Sequence, residues 1–223
     1  MAATDFTGFT AETLDFLAGL KLNNTREWFA ANKSAYERAV KKPAQAFSQL
    51  MAAEIERLTG AAHNPKIFRI NRDVRFSKDK SPYNTHIHMS WSPAAGGDAA
   101  PAFMFGLSTE YCTVGCGVFE FRGATLDAWR AAIAGPGGED FARLVDGLTG
   151  EGYRQGEPDL KRVPTGFDAD LPQAGLLRHK GYVLWRDFEG PAAATGPGIA
   201  RRSLGDFERL IPVWRFIAAL SQY

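Results

Sequence analysis

Between Arg69 and His88 the chain places Arg69, Arg72, Arg75, Lys78 and Lys80 beside Tyr83, His86 and His88. Five cations and three titratable rings thus crowd into twenty residues of a 223-residue chain whose formal net charge is only +1. Arginine forks match carboxylate or phosphate oxygens two at a time, and lysines add point charge. The five cations are therefore the candidate anion-binding set. Tyr83 and His86 are the candidate catalytic groups, able to orient or protonate what the cations hold. In the competing reading Asp73 pairs with Arg72 or Arg75 and the lysines are simply solvated. Asp73 and Asp79 are placed to neutralise part of the cluster internally. His86 and His88 share one strand face, about 6.6 Å apart along an extended chain. With Asp73 on a neighbouring strand they form an alternative metal set. An HxH pair without a defined third ligand is weak ground for a metal, so no metal or other cofactor is expected.

Other chemistry is sparse. No GxSxG, P-loop or HExxH pattern occurs. Cys112 and Cys116 lack the CxxC spacing of a redox pair. On one straight strand they are about 13 Å apart, too far for a disulfide, so both are expected to be reduced. Gly115 and Gly117 read as a bulge or a close strand contact, because the helix start required by a dinucleotide fingerprint does not follow. The near-neutral chain argues against general duplex DNA binding, which needs a broad basic surface. Its 45% hydrophobic and 23% charged residues are those of an ordinary soluble globular protein. The opening MAATDFTGFTAETLDFLAGL has neither a basic n-region nor a long apolar run, and no window is long enough to span a bilayer. A cytoplasmic protein with no membrane partner is expected, and its oligomeric state is left open.

The elements that must position these groups follow from periodicity. Thr10–Leu20 reads as a short helix. Asn24 is the expected N-cap of a second helix, with Glu27 at capping-box spacing. Pro43 should kink or restart that helix, and Phe47, Leu50, Met51, Ile55 and Leu58 form a helical stripe. Phe68, Ile70, Val74 and Phe76 alternate with polar residues and predict a strand, with Arg72 on its apolar side. Ile87, Met89 and Trp91 predict a second strand over 85–91. Phe103–Ser108 and Tyr111–Phe121 complete a meander. Helices are expected over Thr125–Ala134 and Glu139–Leu148, a short strand over Leu160–Val163, and a short helix capped by Asp170. A last strand is expected over Tyr182–Phe188 and a closing helix over Arg202–Leu220, kinked at Pro212. The expected fold is α+β: an antiparallel sheet of four to six strands against N-terminal, middle and C-terminal helices. It is read as a single domain over 1–223, helical in 10–60, a strand meander in 66–122 and mixed in 124–223.

Phe6-Thr-Gly-Phe9, Asn23-Asn24 with Glu27-Trp28-Phe29, Arg69 with Arg72-Asp73-Val74-Arg75-Phe76-Ser77, and Asp79-Lys80-Ser81-Pro82-Tyr83 resemble the family called domain of unknown function 2461. Pro164-x-Gly166-Phe167-Asp168 and the Tyr182 strand are weaker matches. Where the family usually has lysine after the Pro-Tyr pair, this chain has Asn84. The resemblance implies no activity. Two functional readings remain: a protein, enzymatic or not, for a phosphorylated or carboxylated small molecule, and a non-catalytic module docking an acidic partner or a nucleic-acid backbone. A pocket around the cluster would favour the first, a flat or convex surface the second. Arg72 is expected to be buried against a helix carboxylate, with Glu27 the candidate. The strands over 68–76 and 85–91 are expected to be antiparallel neighbours that bring Arg69, Arg75 and His86 to one side.

Overall fold

A computed structural model describes residues 6–96 and 100–220. Its N-terminal helices are α1 (Ala11–Leu22), α2 (Arg26–Ala31), α3 (Lys33–Tyr36) and α4 (Lys42–Thr59). The strands are β1 (His63–Ile67), β2 (His86–Pro93), β3 (Ala102–Ser108), β4 (Cys112–Val118), β5 (Arg154–Gln155) and β6 (Tyr182–Asp187). Helices α5 (Ala124–Ala134) and α6 (Gly138–Gly150) lie between β4 and β5, and α7 (Gly198–Ala219) follows β6. The six strands form one antiparallel sheet in the order β1-β2-β3-β4-β6-β5, so the fold is α+β. No helix among the described residues is long and apolar enough to cross a membrane.

The chain divides into two compact units. The first comprises Met1–Trp91, Met104–Val114 and Asp187–Gly205. Within it, Phe47 of α4 meets Phe9, Phe105 and Trp91, and the Trp91 indole donates to the Ser48 carbonyl at 2.9 Å. Alternation along β2 sends Ile87, Met89 and Trp91 into this core and leaves His86, His88 and Ser90 half-buried on the other face. Pro43 is accommodated by a π-helical segment, Glu37–Lys41, ahead of α4. Proline has no amide proton to give the carbonyl four residues back, which is that of Ala39. The buried Thr13 hydroxyl of α1 donates to that carbonyl at 2.7 Å.

The second unit comprises Ser92–Phe103, Gly115–Arg186 and Asp206–Tyr223. Trp129 of α5 is fully buried there, stacked on Phe121 and Tyr182, with its indole donating to the Leu176 carbonyl. Gly115 and Gly117 make the close strand contact expected of them. A Cβ on Gly115 would stand 2.4 Å from the Trp185 ring, and one on Gly117 would stand 1.9 Å from the Tyr182 carbonyl oxygen. Cys112 and Cys116 are buried and reduced.

Several expectations need correction. The strand expected over 68–76 does not form; the strand is β1, five residues earlier, and residues 68–76 carry only an isolated antiparallel bridge from Asn71 to Tyr83. The alternation there was misleading because Phe68 and Phe76 are 46% and 96% exposed. Its backbone groups are satisfied instead by closing a loop, as described below. The edge neighbour of β2 in the sheet is therefore β1, and the strand pairing expected between 68–76 and 85–91 is not formed. No strand forms over Leu160–Val163; the short strand of this region is β5, paired with β6 through Arg154–Trp185 and Gln155–Leu184. The short helix near Asp170 is a 3-10 turn over Ala174–Arg178. The α2 cap is Thr25, whose hydroxyl accepts from the Trp28 amide, and Asn24 is used elsewhere.

Glycine replacement tests the strand contact. Gly117→Ala meets backbone at φ 146°, whereas Gly60→Ala, also at positive φ (74°), meets nothing within 4 Å. Gly60→Ala should cost about 1 kcal/mol of conformational strain. Gly117→Ala should cost on the order of 4 kcal/mol or abolish folding, as read by thermal melts of the two variants.

Candidate functional site

The segment 69–84 is held by one side chain from the helical region. The Asn24 amide donates to the Tyr83 carbonyl at 2.9 Å, and its oxygen accepts the Tyr83 amide at 3.1 Å. Phe29 of α2 stacks on the Tyr83 ring, with centroids 4.2 Å apart. On the other side of Tyr83, the Arg72 amide donates to the Pro82 carbonyl and the Asn84 amide to the Ile70 carbonyl, at 2.9 and 2.7 Å. The Asn84 side chain adds a bond to the Arg69 carbonyl. Residues 72–82 are thereby pinched into a closed loop. Tyr83 is 8% exposed and anchors the loop.

The five cations differ in burial and in partners, and the loop sorts them into two groups. Arg72 turns inward and is the one most buried, with 25% of its side chain exposed. Its guanidinium donates to Asp79 at 2.6 Å and to the Ser81 carbonyl at 3.0 Å. Arg72 is thus partly buried where full burial was expected, its carboxylate comes from its own loop, and Glu27 is exposed. Asp79 also accepts from the Ser81 amide and hydroxyl, and with Arg72 these donors hold its carboxyl down at about 2, the serine bonds counting most. The other cations face outward. Arg75 chelates Asp73 through Nε and Nη2, at 2.9 and 2.7 Å, on the exposed surface. Lys80 donates to the Val74 carbonyl at 3.0 Å. Arg69 and Lys78 are exposed.

The charge of Arg72 also reaches His86 on β2. The rings of His86 and His88 stack with centroids 3.8 Å apart at 25°, and His88 Nε2 lies 2.7 Å from the Tyr111 hydroxyl. Gly106 makes room for this group: a Cβ there would stand 3.1 Å from the Tyr111 ring and 3.4 Å from His88. Burial pushes the His86 imidazole below its ordinary value, and the charge of Arg72 adds to this. Burial, then His86, pushes His88 down to about 4. Burial also raises the Tyr111 phenol. At neutral pH the cluster is therefore one fixed cation beside two neutral imidazoles and a protonated phenol. Face-to-face imidazoles aim their lone pairs side by side, whereas a shared metal needs them to converge. Asp73, the third member of the alternative metal set, is engaged by Arg75. Among the described residues no group of three His, Cys, Asp or Glu side chains is placed to hold an ion. Tyr111 was missed from sequence. Its only local sign is the Ser108–Tyr111 turn, where the Ser108 amide donates to the Tyr111 carbonyl and so sets the β3–β4 register.

The geometry unites segments that carry a family signature. The model of a family of conserved hypothetical proteins, domain of unknown function 2461, matches residues 12–216, and the chain belongs to this family. Asn24 and Phe29 from its N-terminal motif meet Tyr83 from its central one. No curated protein matches the chain.

The histidines make stability pH-dependent. All four lie below their ordinary value, burial being the largest cause for each. Unfolded histidines protonate near 6.5, so below that pH the unfolded chain binds more protons than the folded one. Stability is complete above about pH 7 and falls as the medium is acidified, His88 giving up its share down to about 4. His88→Asn should lessen the loss between pH 7 and pH 5 by about 1–2 kcal/mol. Urea unfolding of both proteins at the two pH values measures it.

Proposed function

We propose that the chain binds a small phosphorylated or carboxylated molecule over the polar face of β2. Arg72 supplies the charge and His86, His88 and Tyr111 supply neutral hydrogen bonds. The observation that carries this reading is a partly buried guanidinium whose charge reaches His86, together with the stacked pair of His86 and His88 that burial holds in the neutral form. A cation so placed calls for an anion, and Asp79 supplies one from an exposed loop. In this reading Asp79 is the internal counterion that a ligand oxyanion replaces. Ligand binding then frees the loop over 77–81 from Arg72. His86, next to Arg72, is the group placed to exchange a proton with the bound molecule. Arg69, Arg75, Lys78 and Lys80 steer the ligand from outside without touching it.

The test is calorimetric titration with inorganic phosphate and a panel of phosphorylated and carboxylated metabolites. Asp79→Asn keeps an oxygen for the Ser81 amide but removes the competing charge, so it should bind several-fold tighter than the wild type. Arg72→Gln should lose at least tenfold, since a charge-assisted hydrogen bond contributes about 1.5–3 kcal/mol. His86→Asn should weaken binding while leaving the melting temperature near that of the wild type. Undetectable binding in all proteins, or an Asp79→Asn affinity equal to or weaker than wild type, would sink the reading.

A further inference from the structure

The outward side of the same segment carries a second, different surface. Five large apolar side chains are exposed among the described residues, and three of them, Ile67, Phe68 and Phe76, fall within ten positions of one another. Phe76 is 96% exposed. The run from Lys66 to Lys80 contains six cations and two carboxylates, a net of +4 in a chain of +1. Two cations lie over the exposed rings: Lys66 Nζ stands 4.7 Å from the Phe68 centroid, and the Arg75 guanidinium 5.8 Å from that of Phe76. Exposed apolar groups rimmed by charge mark interaction sites. Aromatic and arginine side chains are the ones that most often dominate binding energy at such sites.

We infer that this surface docks an acidic polypeptide segment bearing an apolar anchor residue. Charge complementarity chooses the acid, and the uncovered faces of Phe68 and Phe76 choose the anchor. The Arg75–Asp73 pair does not neutralise the surface. It is solvent-exposed, such pairs are weak in water, and a partner carboxylate can share the guanidinium. The partner is held by side chains and not by strand addition. Although β1 is the last strand of the sheet, Pro65 interrupts its row of amides and Lys66 follows, two devices that blunt an edge. A nucleic-acid duplex is disfavoured by the near-neutral remainder of the chain. The proposal does not depend on a ligand at Arg72, because the exposed rings of Phe68 and Phe76 that anchor the partner take no part in that site.

The experiment uses the full chain and a short fluorescein-labelled peptide in which glutamates flank a central Leu-Phe pair, read by anisotropy. Binding should weaken as ionic strength rises. Phe76→Ser should weaken it about tenfold, as should the Arg75→Glu, Lys78→Glu double variant. Phe76 is almost fully exposed, so its replacement leaves the fold intact, which a thermal melt verifies; Lys78→Glu alone serves as a second variant. Leu22→Ser, at another exposed apolar position, and His86→Asn should bind as the wild type does. Equal affinity in the wild type, Phe76→Ser and the charge reversals would overturn the proposal. So would tighter binding to phosphatidylserine vesicles or a single-stranded oligonucleotide than to the peptide, or self-association that Phe76→Ser abolishes.

Discussion

The pair of hydrogen bonds between Asn24 and the backbone of Tyr83 is the constraint on which the site depends. A side-chain carboxamide presents N–H donors and a carbonyl acceptor side by side, so it can occupy the place of a neighbouring peptide unit. Tyr83 therefore has the Asn71 bridge on one side and an asparagine on the other. Losing either Asn24 bond would leave a poorly solvated backbone group unpaired, at a cost of about 1–3 kcal/mol. Phe29 stacked on the Tyr83 ring ties the same point to the helices. With both ends of the loop so fixed, its sixteen-residue segment has few ways to dispose of its charges.

The disposition it adopts follows from desolvation. A guanidinium can be turned inward only where enough acceptors meet it, and Arg72 finds a carboxylate, a carbonyl and, more distantly, the Ser77 hydroxyl. The remaining cations stay where water solvates them. The inward charge has an electrostatic consequence for the strand beside it. Burial already disfavours the imidazolium form of His86, and a fixed cation disfavours it further. His88, stacked on His86, is pushed lower still. Burial, helped at His86 by the charge of Arg72, thus keeps the histidine pair neutral, which makes the pair a source of hydrogen bonds and not of charge.

The same accounting for every polar backbone group explains other departures from regular structure. Pro43 removes one helical donor, and a π-helical segment together with the Thr13 hydroxyl accommodates the carbonyl left behind. Where two strands approach too closely for a Cβ, glycine stands at 115 and 117. Each device is local, but each becomes intelligible only with its distant partner in view, Ala39 for Thr13 and Tyr182 for Gly117.

Periodicity by itself determined much of this protein. The alternation of Ile87, Met89 and Trp91 marked β2 and its polar face, and the stripe of Phe47, Met51 and Ile55 marked α4. The α+β class followed from the order of these patterns, and the family from the motifs around Asn24 and Arg72-Asp73. The crowding of charge at 69–80 was also visible, as was the power of Asp73 and Asp79 to neutralise it. What only the tertiary structure decided was which way each side chain turns. Phe68 and Phe76 alternate as a buried face would, yet they lie in water, because the closed loop gives them nothing to pack against. Arg72 finds Asp79 and not Glu27, and Tyr111 joins His88 across the sheet. Such pairings depend on where the ends of a loop are pinned and on strand register. Those are contacts between residues far apart in the chain, and no local pattern of residue types encodes them.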